Sequence, residues 1–195
     1  MSGSAMPRYI LLDRDGVINR RNLNGYVTSW EQFEFVPRAL DALRLLAEGG
    51  YRALVVSNQA CVSKGLISSE GLAELTRRFV EEVEKHGGHI DRVYYCPHQN
   101  GEGCDCRKPK PGLLLQAQRE YLFAFAEAFL VGDSEPDLMA AQQVGCPAIL
   151  VRAGSPDTQA APYAGETPAL PGNPRATVRD LYEAVQFILG GEGEY

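Results

Sequence analysis

Five short apolar runs recur along the chain, at residues 9–12, 53–56, 93–95, 129–131 and 148–151. They are short and lack polar alternation, so they predict strands buried on both faces. Between them the apolar period changes. Leu40, Leu43, Leu46 and Ala47 share one side of a helix that begins after Pro37 and stops at Gly49-Gly50. Leu72, Leu75, Phe79, Val80 and Val83 line a second, closed by Gly87-Gly88. Further helices are predicted over 112–126, after Pro136, and over 178–189. Strands alternating with helices imply βαβ units, hence an α/β fold with a doubly wound parallel sheet. No internal repeat interrupts it. Residues 1–6 read as a tail or expression scar, 7–190 as one domain, and 191–195 as a second tail. The Pro-, Gly- and Ala-rich stretch 155–174 reads as a surface loop.

In such sheets ligands bind beyond the carboxyl ends of the strands. Those ends are chemically loaded. Asp13-Arg14-Asp15-Gly16 follows the first run, Ser57-Asn58-Gln59 the second, Arg107-Lys108-Pro109 lies beyond the third, and Gly132-Asp133-Ser134 follows the fourth. Clustered carboxylates repel unless a cation joins them, and Mg²⁺ with hard oxygen ligands is the natural partner. Nearby Ser, Lys and Arg can grip phosphate oxygens. The combination suits phosphoryl transfer. Ser134 and Asp137 fit a capping box with Pro136 in its first turn. Asp137 is equally suited to a place beside the metal.

Beyond the third run, Cys96, His98, Cys104 and Cys106 lie within eleven positions. Four soft ligands at this spacing predict tetrahedral Zn²⁺, and four protein ligands make the site closed and structural. The loop has little apolar packing of its own. The metal would therefore fix its shape and the placement of Arg107 and Lys108. Cys61 and Cys146 read as packed core residues, and His86 and His89 as helix-end residues without chemistry.

Charge and composition narrow the classes. Lys+Arg 19 against Asp+Glu 25 gives a formal net charge of −6, which argues against nucleic acid as the main partner. The longest unbroken apolar run, 121–126, is far below a membrane span. Clustered thiols fit a reducing cytoplasm better than disulfides. With no large inserted cap between strands, loops must bound the site, and a monomer is expected.

The four strand-end motifs, in this order, resemble those of the haloacid-dehalogenase superfamily of phosphatases. The Asp13-to-Asn19 stretch, Gly25-Tyr26-Val27 with Trp30, the Cys/His loop running into Arg107-Lys108-Pro109-Lys110-Pro111-Gly112, and Gly132-Asp133-Ser134 with Asp137 are similar to its heptose 1,7-bisphosphate phosphatase branch. The histidinol-phosphate phosphatases are close to that branch. The resemblance implies a Rossmann-like fold and hydrolysis of a small phosphorylated sugar, with histidinol phosphate as the alternative substrate. A non-catalytic zinc-binding module is the remote alternative. The resemblance makes Asp13 the nucleophile, Asp15 the general acid and base, and Ser57 and Lys108 the groups that hold the phosphoryl group. Asp13, Asp15 (through its carbonyl) and Asp133 would hold Mg²⁺. Substrate contacts are implied for Asn24, Gly25, Tyr26, Asn58, Gln59, Lys64 and Arg107. Tyr26 and Trp30 either exclude water over the site or pack. The branch has Gly and Arg where this chain has Cys61 and Lys64.

Overall fold

The computed structural model describes residues 7–152 and 172–190. Both predicted tails, and residues 155–171 of the predicted loop, lie outside them. Six parallel strands form one sheet: β1 (Arg8–Leu12), β2 (Tyr51–Asn58), β3 (Ile90–Cys96), β4 (Phe129–Gly132), β5 (Ala148–Val151) and β6 (Ala176–Val178). Their order is β3-β2-β1-β4-β5-β6. The chain winds outward from β1 to β3, crosses back beside β1, and winds outward again. The loops after β1 and β4 therefore diverge at the switch point, where such sheets bind ligands.

Alternation along the central strands explains the layering. Ile10, Leu12, Ala53 and Val55 face one side, under α1 (Ala39–Glu48), α2 (Ser69–Lys85) and α5 (Leu181–Leu189). Leu11, Leu54 and Val56 face the other, under α3 (Gly112–Tyr121) and α4 (Glu135–Gln143). Ile10, Leu11 and Leu12 are fully buried. Each such side chain contributes about 1.5–3 kcal/mol. The strand end that carries Asp13 is thus anchored by packing on both faces.

Two predicted boundaries need correction. The helix expected over 112–126 stops at Tyr121, because Leu122 adopts a left-handed φ of 54°. Phe123 then turns inward and stacks on Tyr9, 4.9 Å between centroids. The apolar run serves as a packed connection that includes a short 3-10 turn, Phe125–Glu127, and not as a continuation of α3. The last helix starts at Leu181, not at 178. Asp180 caps it, accepting from the Glu183 backbone N–H at 2.9 Å. Residues 176–178 instead pair with β5 as a short edge strand, half-buried and without a clear period. No described helix is long and apolar enough to cross a membrane.

Candidate active site

The register of β1 against β4 sets Leu12 opposite Val131, and the Asp13 N–H donates to Val131 O at 2.9 Å. Asp13 and Asp133 thereby emerge side by side. Carboxylate oxygens of Asp13, Asp133 and Asp137 lie within 4.8 Å of one another. Gly16, at φ 92°, permits this approach: a Cβ there would fall 1.8 Å from Asp133 Oδ2. Gly132 does the same for Asp137, whose Cβ would lie 2.3 Å from any Cβ at position 132.

Lys108 answers this negative charge. Its buried ammonium donates to Asp13 Oδ1 at 2.8 Å and to Val56 O at 2.7 Å. It also stands 2.5 Å from Asp137 Oδ1, close in charge but off-line for a hydrogen bond. Burial opposes its charge, but Asp13 and Asp137 together more than offset that and hold its pKa above the ordinary value. Asn58 secures Lys108 from the backbone side, donating to its carbonyl and accepting from its N–H, both at 3.0 Å.

One lysine does not balance three carboxylates. Burial pushes Asp13 up to about 6, against the pull of Lys108 and with the push of Asp137 and Asp15. Burial, then the charge of Asp13, pushes Asp133 up to about 7. Its described ionic partner is the half-exposed Arg21, at 2.6 Å. The site therefore fits a divalent cation: hard oxygens, close together, short of positive charge.

Asp137 takes the expected capping role and also faces Lys108. Its Oδ2 accepts from the Ser134 N–H at 3.1 Å and from Ser134 Oγ at 2.5 Å, completing a capping box on α4. Its other oxygen faces Lys108. The Asp15 carboxylate has its own set of partners. Arg14, Asn19 and Gln59 all donate to its carboxylate. Gln59 is fully buried, and its amide also reaches Ser57 Oγ at 3.2 Å. Gln59 and Asn58, expected as substrate contacts, are thus engaged with Asp15 and Lys108.

The predicted metal ligands after β3 converge. Cys96 Sγ lies 3.5 Å from His98 Nδ1 and 3.7 Å from Cys104 Sγ, and Cys106 Sγ lies 3.2 Å from His98 Nδ1 and 3.1 Å from Cys96 Sγ. Tetrahedral sulfur ligands about 2.3 Å from a zinc ion stand about 3.7 Å apart, so this cage could hold one after small adjustments. Arg107 is tied to the same loop. Its Nε donates to Asn100 Oδ1 at 2.7 Å and its Nη1 to His98 O at 3.0 Å.

The loop after Asp15 stands further out. Asn24 and Gly25 are exposed and hydrogen-bond through their backbone N–H groups to Asn22. The Lys64 ammonium lies 5.0 Å over the Tyr26 ring, joining this loop to the one after β2. Trp30 packs, stacking on Phe33 at 5.4 Å against the core. Cys61 and Cys146 are buried as expected. Arg14, Asn19, Arg21 and Asn22 carry no local signal of a role in the sequence. A polar residue a few positions beyond an acid is usually solvated, so only Arg14's place between two carboxylates could have drawn notice.

The chain is 37% identical over 147 residues to the D-glycero-beta-D-manno-heptose-1,7-bisphosphate 7-phosphatase of Pseudomonas putida, covering 75% of this chain and 83% of that protein. It belongs to this phosphatase family. The Vibrio cholerae member is 39% identical over 158 residues, covering 77% and 84% of the two chains. The family description "HAD-hyrolase-like" matches residues 105–184. Among solved structures, the D,D-heptose 1,7-bisphosphate phosphatase of B. bronchiseptica, complexed with magnesium and phosphate, superposes with a TM-score of 0.81 at 30% identity, covering 94% of this chain and 98% of that one. The chain is accordingly a phosphoric monoester hydrolase of the heptose-bisphosphate phosphatase family. The doubly wound sheet holds as the sequence predicted, and the four Cys/His side chains come together.

Proposed function

We propose that this chain hydrolyses D-glycero-D-manno-heptose 1,7-bisphosphate at the 7-phosphate, through an aspartyl-phosphate on Asp13. The observation that carries the reading is the buried Asp13 carboxylate, held by Lys108 beside Asp133 at the switch point. The names of the relatives supply the substrate.

Lys108 fixes the rotation of Asp13 through Oδ1, and among the described side chains Oδ2 takes no hydrogen bond. An Asp13 oxygen attacks phosphorus as the bond from phosphorus to the sugar oxygen breaks. Asp15 gives that oxygen its proton. It then takes a proton from the water that attacks the aspartyl-phosphate, and phosphate leaves as the Asp13–phosphorus bond breaks. Lys108 and Ser57 hold the equatorial oxygens during both transfers.

Asp13, Asp133 and the Asp15 carbonyl would hold Mg²⁺, which supplies the charge that lets two anions approach. The Cys/His cage would hold a structural Zn²⁺, and a reducing cytoplasm would keep its thiols free. Arg107, extending from that cage, would recognise the part of the substrate that does not react, most simply its second phosphate.

A phosphate-release comparison of heptose 1,7-bisphosphate with histidinol phosphate, in Mg²⁺, tests the substrate. The bisphosphate should be turned over with the higher kcat/KM. Preference for histidinol phosphate would refute the assignment.

A further inference from the structure

Arg14 stands between the two catalytic carboxylates, yet its side chain is fully buried. Burying a guanidinium is costly unless it is paired. Its described ionic partner is Asp15. Nη2 reaches Oδ1 and Oδ2, each at 3.0 Å, and Nε reaches Oδ1 at 3.3 Å. One guanidinium nitrogen, Nη1, is buried without a hydrogen-bond partner. The fork lies over the Tyr95 ring, 5.8 Å from its centroid, and the Tyr95 hydroxyl is in turn bonded to Thr76 at 2.9 Å. The Arg14 carbonyl accepts from the N–H groups of Ile18 at 2.9 Å and Asn19 at 3.1 Å, so the same residue closes the turn that follows Asp15.

Two more donors complete the grip. Asn19 Nδ2 reaches Asp15 Oδ1 at 2.8 Å, and Gln59 Nε2 reaches Oδ2 at 2.6 Å. Oδ1 thus takes contacts from three donor atoms and Oδ2 from two. A lone aspartate on a turn has two free side-chain torsions, whereas one gripped from three residues has a single orientation. An acid that must meet one bridging oxygen, and later one water, depends on that orientation. Simple solvation of Asp15 would not require a buried arginine.

We infer that Arg14 is a positioning residue for proton transfer: its fork, with Asn19 and Gln59, fixes the Asp15 carboxylate in a single orientation for proton exchange. The inference rests on the proposed acid–base role of Asp15, and the test separates the two. p-Nitrophenyl phosphate has a leaving group that departs without a proton, whereas the sugar alkoxide needs one. Loss of a well-placed Asp15 therefore slows formation of the aspartyl-phosphate only from the sugar, and slows its hydrolysis from either substrate.

Arg14→Gln and Arg14→Lys are mixed rapidly with each substrate in Mg²⁺, with Asp15→Asn as the reference. Arg14→Gln should release about one p-nitrophenol per enzyme at near wild-type rate. Steady turnover should then fall about a hundredfold, with phosphoenzyme visible by intact mass after acid quench. On heptose 1,7-bisphosphate it should show no burst, a similar loss of kcat, and little change in KM. Arg14→Lys keeps the buried charge but loses the fork. It should show the same pattern at smaller size, and it decides the matter if the Gln variant does not fold. If Asp15→Asn shows no burst, the acid–base reading fails. If Asp15→Asn shows it while Arg14→Lys is wild-type, or slows every step equally, Arg14 serves the fold and the inference is overturned.

Discussion

The carboxylate site and the Cys/His loop lie at the same end of the sheet, with β2 between them, but are held together by opposite means. Asp13 and Asp133 leave two central, hydrogen-bonded strands whose apolar residues are packed on both faces. Their backbone positions are secure, and what they lack is charge balance. The segment from Cys96 to Cys106 has the reverse character. Its backbone is irregular and largely exposed, and its four ligand side chains supply most of its internal contacts. In one region the scaffold holds the ligands, and in the other the ligands hold the scaffold. The two meet at Arg107 and Lys108, which leave the loop to enter the site.

That contrast can be broken from either side. Asp13→Asn removes the proposed nucleophile without disturbing strand packing. Steady phosphate release should fall to background, a loss of at least about 10³-fold, with far-UV circular dichroism unchanged. Lys108→Met should act on both fold and chemistry, because it leaves Asp13 and Asp137 buried without their shared cation. A loss of about 3–5 kcal/mol in urea titrations is expected, with kcat lowered about a hundredfold or more.

Loop variants should be milder and more selective. Arg107→Ala should lower kcat/KM for the bisphosphate about ten- to a hundredfold, while a small monophosphate that never reaches the remote position loses much less. Equal losses on both would move Arg107 to the chemistry. Cys104→Ser should lower bound zinc from about one ion per chain, measured by elemental analysis, and reduce activity about tenfold with Asp13 untouched. Full activity and stability in a metal-free loop would end the structural-zinc reading.

The smallest effect concerns the charge balance itself. Asp13 and Asp133 have raised values of about 6 and about 7 in the fold. Without Mg²⁺, the folded protein keeps protons there that the unfolded chain loses from about pH 4 upward. Stability should therefore fall as pH rises from about 4 to about 7. Added Mg²⁺ should raise Tm by several degrees at about pH 8 and hardly at about pH 5. Equal shifts at both pH values would mean that these carboxylates are not the binding site.

How much of this was visible before folding depends on the kind of residue. Asp13, Asp15, Ser57 and Asp133 stood out as candidates because each follows a strand-like run, the four zinc-type ligands because of their spacing, and Lys108 through the resemblance of its motif. These signals are local. The run 121–126 misled because an apolar stretch can be a helix face or a packed loop, and the stack of Phe123 on Tyr9 selects the loop. Residues 176–178 misled for the opposite reason: a half-buried edge strand carries little period. The Asp180–Glu183 cap was local and present, but the helix face extended past it.

By itself, the sequence determined the alternation of the first five strands with helices and the set of reactive groups at the strand ends, because periodicity and motif spacing are properties of neighbouring residues. Tertiary structure alone decided the partners of those groups. Lys108 meets Asp137 and Asp13 across 29 and 95 positions, counted from their numbers, Asn58 clamps Lys108 across 50, and Gln59 reaches Asp15 across 44. The burial of Arg14 was likewise decided there. An arginine between two acids has the same local pattern whether water or protein surrounds it. In the fold Arg14 is buried over the Tyr95 ring of β3 and Asp15 becomes its partner.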